Sequence, residues 1–541
     1  MPGRLTFAVL VPLLSVFLAA GQDTHPSHVQ AIPAELLDRP VLLRRGIGSA
    51  HERVSTRSTE AQAFYDQGLA YLHSYVWIDA ARSFHQALRL DPQIAMAHLG
   101  LSYAEWELNR PGEARAAFER GRELAKSSTD RERQRMTLRG MEFDAIANPR
   151  DPARLTAYRR ALDEGLAHDP LDAELWLLRG MAEAPTPGDR GQGSPAGSMK
   201  HYQRALAIQP DSMAAHHYLT HACESAGRID EALQHGRTFA ALAPAVPHAR
   251  HMYGHNLRRT GHIDEAIAEF QAAYDLEVAY TRAERIPIDY DWHHQHNLDL
   301  LAMSFQYVGQ MKSAERLFRE SFAIASPMIM QEFAKREWPG FLIDRGRWDE
   351  ATAAAGTMIA HPSPIVSATG HILAGRALLN ARRFGEAAEH ANTALRILKS
   401  ISQGAGLVTP PFEELQGEFL LRTGRQAKGR AMLDGVVKKV RGEPGPDEWS
   451  QALFTLDGIA RAAREAGDWA FAGRIAQQML QHDPSYAGTH YALALVADHE
   501  GKRPTARAEF TLAEKYWKKA DPDLPELIRL RGWLRANRVH H

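Results

Sequence analysis

Cysteine is almost missing from this sequence: Cys223 is the only one in 541 residues. An intrachain disulfide is therefore excluded, and stability has to come from packing. A surplus of one charge is missing as well. Lys and Arg total 64 against 65 Asp and Glu, a formal net charge of −1. That balance supplies no global attraction to nucleic acid or an anionic membrane, and no nucleic-acid partner is expected. One apolar run stands at the start, "LTFAVLVPLLSVFLAA", preceded by Arg4 and ending in the small residues Ala19-Ala20-Gly21. No stop-transfer pattern follows it. Residues 1–21 are thus expected to be a signal peptide, and the mature chain to be exported, periplasmic or secreted, with no membrane insertion after cleavage. Sustained strand-type alternation is lacking. So are a phosphate-binding loop, a GxSxG elbow, a dinucleotide fingerprint and an HExxH motif. Histidine, by contrast, is abundant at 27 residues.

The length exceeds what one core usually organises, so several domains or a repeat array are expected. A repeat is visible. "FYDQGLAYLHSYVWIDAARSFHQALRLDP" (64–92) has counterparts in "RRTGHIDEAIAEFQAAYDLE" (258–277), "EAGDWAFAGRIAQQMLQHDP" (465–484) and "HYALALVADHEGKRPTARAEFTLAEKY" (490–516). Small residues (Ala80, Ala114, Ala266, Ala506) alternate with large ones (Phe84, Phe118, Phe270, Phe510) where two helices would approach closely. Asp91-Pro92, Asp169-Pro170 and Asp483-Pro484 end helices, because the proline cannot continue them. Gly227 and Gly261 lie 34 residues apart, as do Gly467 and Gly501.

These motifs resemble the tetratricopeptide repeat (TPR) family over nearly all of 58–520. The resemblance implies an all-α, right-handed α-solenoid of helix A–turn–helix B hairpins. The expected organisation is a signal peptide at 1–21 and an N-terminal extended segment at 22–57. A main TPR block follows at 58–434, with a histidine-lined groove at 213–310. A weak break at 435–452 precedes a C-terminal TPR block and tail at 453–541. The Pro/Gly segment "APTPGDRGQGSPAG" (184–197) reads as a surface excursion within one hairpin.

With Gly227, Gly261 and Gly309 set as position 15, His217 and His221 take positions 5 and 9 of one repeat. His248, His251 and His255 take positions 2, 5 and 9 of the next, and His296 and Asp299 take positions 2 and 5 of the third. The family places a groove at those positions. His98, His216, His371 and His490 instead sit at position 4, a packing position. "AHHYLTHA", "PHARHMYGH" and "HNLDLLA" also look like a histidine-rich subgroup of exported bacterial TPR proteins.

Three readings of the stripe remain open. Paired HxxxH spacing on neighbouring helices suits a transition metal, and imidazole with a carboxylate points to Zn, Cu, Fe or Ni. The metal candidates are His217, His221, His248, His251, His255, His296 and Asp299. Alternatively the histidines, with Arg258 and Arg259, form a cradle for a peptide or carboxylate ligand. Glu174, Trp292 and Asn297 are further ligand-binding candidates, Glu174 as a general base. In the third reading the histidines are merely solvated. The function expected is an interaction scaffold taking a protein or peptide partner in its concave groove, with a metal site in the middle. The alternative is a metal-dependent enzyme, hydrolase or oxidoreductase, using the same histidines.

Overall fold

The computed structural model describes residues 31–188, 190–192, 195–326, 328–402, 404–442 and 446–537, and among them there is no β-strand. The expected signal peptide lies outside the described residues. None of the described helices is long and apolar enough to cross a membrane. Contacts divide the described chain into two compact units, 31–256 and 257–537.

Unit 1 is built from α1 (Ala34–Leu37) and five consecutive hairpins. These pair α2 (Thr59–His73) with α3 (Trp77–Leu90), α4 (Ala95–Glu107) with α5 (Pro111–Ala125), and α6 (Asp130–Ala147) with α7 (Pro152–His168). The last two pair α8 (Ala173–Met181) with α9 (Met199–Ile208) and α10 (Met213–Ser225) with α11 (Ile229–Leu242), before the unit closes in α12 (Pro247–Arg259). Polar side chains start four of the five A helices that open these hairpins. Ser58, Asp172 and Ser212 accept from backbone N–H groups of the first turns of α2, α8 and α10, and Thr129 forms a reciprocal capping box with Glu132 at α6. Asp91 and Asp169 close α3 and α7, one residue before their prolines. Phe84, fully buried, is wedged between Gly68 of α2 and Gly100 of α4. A Cβ at Gly100 would lie 2.3 Å from its ring, so the small–large alternation read from the sequence is a steric requirement.

The segment before α2 runs as an extended strap along unit 1. Its Gly46 carbonyl accepts from the Ala245 N–H at 2.8 Å, its Leu42 carbonyl from Gln67 at 3.2 Å, and its Ser55 N–H donates to Glu132 at 2.8 Å. Glu52 of the strap accepts from the Tyr65 hydroxyl at 3.1 Å and from Arg135 at 3.2 Å. Arg135 also donates to Asp172 at 2.7 and 2.6 Å, so one buried guanidinium ties strap, α6 and α8 together. Tyr65 and Leu69 of α2 and Leu99 and Tyr103 of α4 are all buried.

Within the segment 184–197, Arg190 does not lie on the surface. Arg190 is only 4% exposed, its guanidinium lies 4.4 Å from the centre of the Tyr103 ring, and its carbonyl accepts from the Tyr75 hydroxyl at 2.7 Å. A cation over an aromatic face, with a satisfied carbonyl, gives the loop a reason to turn inward that a Pro/Gly count does not reveal.

Unit 2 starts with α13 (Ile263–Glu284), α14 (Trp292–Tyr307), α15 (Met311–Ala323), α16 (Ile329–Ala334), α17 (Glu337–Asp344) and α18 (Trp348–Ile359). It continues with α19 (Pro364–Asn380), α20 (Phe384–Ser400), α21 (Ala405–Arg422) and α22 (Gln426–Gly442). It ends with α23 (Pro446–Glu465), α24 (Trp469–His482), α25 (Ala487–His499), α26 (Arg503–Tyr516) and α27 (Pro525–Ala536). The helix α13 is unusually long: it runs on through Glu284 and stops where Arg285 turns left-handed at φ 53. A buried ion-pair cluster links its A helices, with Arg376 of α19 at 2.9 Å from Glu414 and 3.2 Å from Glu418 of α21. Burial pushes the Glu414 carboxyl up to about 7, against the opposing pull of Arg376.

Candidate metal centre

The HxxxH spacing of α10 puts His217 and His221 on one face, one turn apart. Their Nε2 atoms lie 3.1 Å apart, and the Nε2 of His248 on α12 stands 3.0 Å from that of His217. The three residues offer one ligand atom each, all within 4.8 Å of one another. At Zn–N distances of about 2.0–2.1 Å, cis nitrogens on one ion are about 2.9 Å apart at right angles and about 3.4 Å apart in a tetrahedron. The two distances from His217 fall in that interval.

The central imidazole is held in one tautomer. His217 Nδ1 donates to the His73 carbonyl at 2.6 Å, which a carbonyl can only accept, so its Nε2 presents a lone pair to the other two rings. Burial, with the nearby His221, holds the His217 imidazole well below its ordinary range, so it stays neutral as a ligand must. The carbonyl is in turn fixed by the His73 side chain, whose Nδ1 meets the Tyr218 hydroxyl at 2.9 Å and whose Nε2 donates to Glu174 at 3.0 Å. Burial raises the Glu174 carboxyl, but the His73 contact, with Arg135 and Arg190, outweighs it and leaves the group below its ordinary value. Glu174, nominated as a base, is thus an ionised acceptor orienting His73. His217 and His248 are buried, and His221 alone of the three keeps partial contact with solvent.

One aromatic residue borders all three rings. The centre of the Tyr75 ring lies 4.4 Å from that of His217, 5.1 Å from His248 and 5.8 Å from His221. Neither Tyr75 nor His73 is apparent in the histidine pattern. The available signal is that Tyr75 falls at position 15, where Gly227 and Gly261 stand in other repeats.

The other candidates divide between the units. His251 and His255 form a second i, i+4 pair on α12, both buried, with ring centres 4.3 Å apart. Arg258 and Arg259 form the last turn of that helix and fall in unit 2. His296, Asn297 and Asp299 sit on α14 of unit 2. Asn297 donates to the Phe270 carbonyl at 2.9 Å and so serves helix packing, while Trp292 stacks on His296 at 6.1 Å. The pattern also missed Glu277, a carboxylate 1% exposed that takes both His293 and His294 Nδ1, the latter at 2.8 Å. Three of the position-4 histidines behave as packing residues, each meeting the residue 19 places on. His216 pairs with His235 at 2.9 Å, His371 with His390 at 3.0 Å, and His490 with Glu509 at 2.7 Å. Burial pushes the Cys223 thiol up to about 11, which makes it an inert core residue.

A tetratricopeptide-repeat family profile matches residues 65–128. No curated protein sequence matches the chain. Among solved structures, a human IFIT1 dimer with PPP-AAAA is similar at 11% identity, over 78% of this chain and 90% of that one, with a TM-score of 0.40. A tetratricopeptide repeat protein from Parabacteroides merdae is similar at 14% identity, over 52% of this chain and 98% of that one, with a TM-score of 0.36. The match to tetratricopeptide repeats is confined to residues 65–128, and the described residues outside it are likewise helical, an all-α fold of the solenoid class.

Proposed function

We propose that this protein is an exported TPR scaffold that holds a transition-metal ion in unit 1 through His217, His221 and His248. The convergence of three Nε2 atoms, with the central one locked as a lone-pair donor, carries this reading. Three imidazoles suit Zn, Cu, Fe or Ni and are poor ligands for Ca or Mg. The scaffold role takes a protein or peptide partner, as the repeat architecture commonly does. Export rests on residues 1–21 and is tested by N-terminal sequencing of the mature chain.

Three histidines leave one position for a further ligand, as in catalytic zinc sites. That feature favours the second reading, a metal-dependent hydrolase or oxidoreductase in which the ion activates a bound small molecule. The deciding experiment is elemental analysis of the mature chain purified without a histidine tag. About one or more equivalents of Zn, Cu, Fe or Ni supports the metal centre. No metal, even after loading with each ion, removes it and leaves the scaffold reading alone.

A further inference from the structure

Several turns between the A and B helices of this chain place one residue in the left-handed region. Glycine fills that place at Gly227 (φ 71), Gly424 (φ 82), Gly467 (φ 77) and Gly501 (φ 72), because it bears no Cβ. Asn109 (φ 57) is a tolerated substitute, and Arg382 (φ 61) is an exposed one. Tyr75 (φ 58) is different: a large ring in a strained backbone position, only 2% exposed. The neighbours of its ring are the three imidazoles together with Trp77 and Tyr218. The Tyr75 hydroxyl donates to the Arg190 carbonyl at 2.7 Å, so Arg190 fixes the far end of the ring. The ring therefore stands against His217, His248 and His221 with both its backbone and its hydroxyl tied.

We infer that Tyr75 shields the three-histidine centre, restricting the bound ion to its three imidazoles and one small further ligand. This rests on the metal reading above. An aromatic wall on one side removes room for a second and third water, and the partly exposed His221 marks the side from which ligand and ion exchange. Tyr75 is a positioning residue: it sets coordination number rather than reacting.

The test replaces the ion by Co(II) and reads its visible d–d absorption, intense in four-coordinate and weak in six-coordinate sites. The wild-type protein is expected to give the intense spectrum. Tyr75→Phe, which keeps the ring, should retain it. Tyr75→Gly, which keeps the turn with the residue used at Gly227, should give the weak spectrum and lose Co(II) to a chelator roughly 10-fold faster or more. A six-coordinate spectrum in the wild type overturns the inference without any variant, so a poorly folding Tyr75→Gly does not protect it. An unchanged spectrum and unchanged exchange in folded Tyr75→Gly overturn it as well. If wild-type protein binds no Co(II), the metal reading falls first and this inference with it. Binding that is normal but indifferent to Tyr75 leaves the metal reading standing alone.

Discussion

At the scale of single residues, unit 1 depends on buried charges and neutral histidines. Arg135 is 3% exposed and faces the carboxylates of Glu52 and Asp172. Arg135→Met leaves Asp172 without this counter-ion and Glu52 with only Arg131, 3.6 Å away, and a loss of about 3–5 kcal/mol in unfolding free energy is expected from urea titration. A loss under about 1 kcal/mol, the range of exposed pairs, contradicts this account of the strap. His98 and His235 are each pushed down to about 4, by burial first and then by Arg120 and by His216 respectively. Both bind protons more weakly folded than unfolded, so their contribution is complete above about pH 6.5 and is lost as pH falls toward 4. The metal-free protein should therefore lose stability between pH 6.5 and 4, and a His98→Gln/His235→Gln protein should show a shallower decline over that window. Parallel declines would assign the acid sensitivity elsewhere.

At the scale of elements, a helix survives only if its neighbour's side chains fit. Gly100→Ala puts a Cβ 2.3 Å from a Phe84 ring already pinned by Gly68, and Phe84 has no exposed side toward which to move. A destabilisation of about 1–3 kcal/mol is expected. Thermal melting checks it, and a neutral or stabilising substitution would show that the hairpin interface has slack. These packing positions were legible in the sequence because sterics at a close helix crossing dictate residue size. The pairing of His217 with His221 was legible because a helix places i and i+4 on one face. The third ligand atom at His248 followed from its groove position, without its geometry. Tyr75 and the His73 carbonyl were not legible, since a backbone oxygen carries no residue signature and the ring acts from a turn. The strap and the inward Arg190 were hidden for a related reason. Their contacts span long separations, 23 residues for Arg44 with Gln67 and 115 for Tyr75 with Arg190, and local patterns do not report them.

At the scale of the whole molecule, repetition decides the architecture and departures from it locate the chemistry. The 34-residue period supplies a succession of helical hairpins, and many A-helix positions in them are apolar or small. Where unit 1 breaks that uniformity, three imidazoles, a left-handed tyrosine and an oriented His73 coincide in one place. The central claim is that these form a metal centre. The most direct measurement titrates Zn(II) into metal-free wild-type protein and into His217→Ala/His248→Ala, following stoichiometry and affinity by calorimetry. At least one equivalent bound by the wild type and absent from the double variant is the predicted result. Equal stoichiometry and affinity in the two proteins would contradict the claim and leave the histidines as a hydrogen-bonded cluster inside a repeat scaffold.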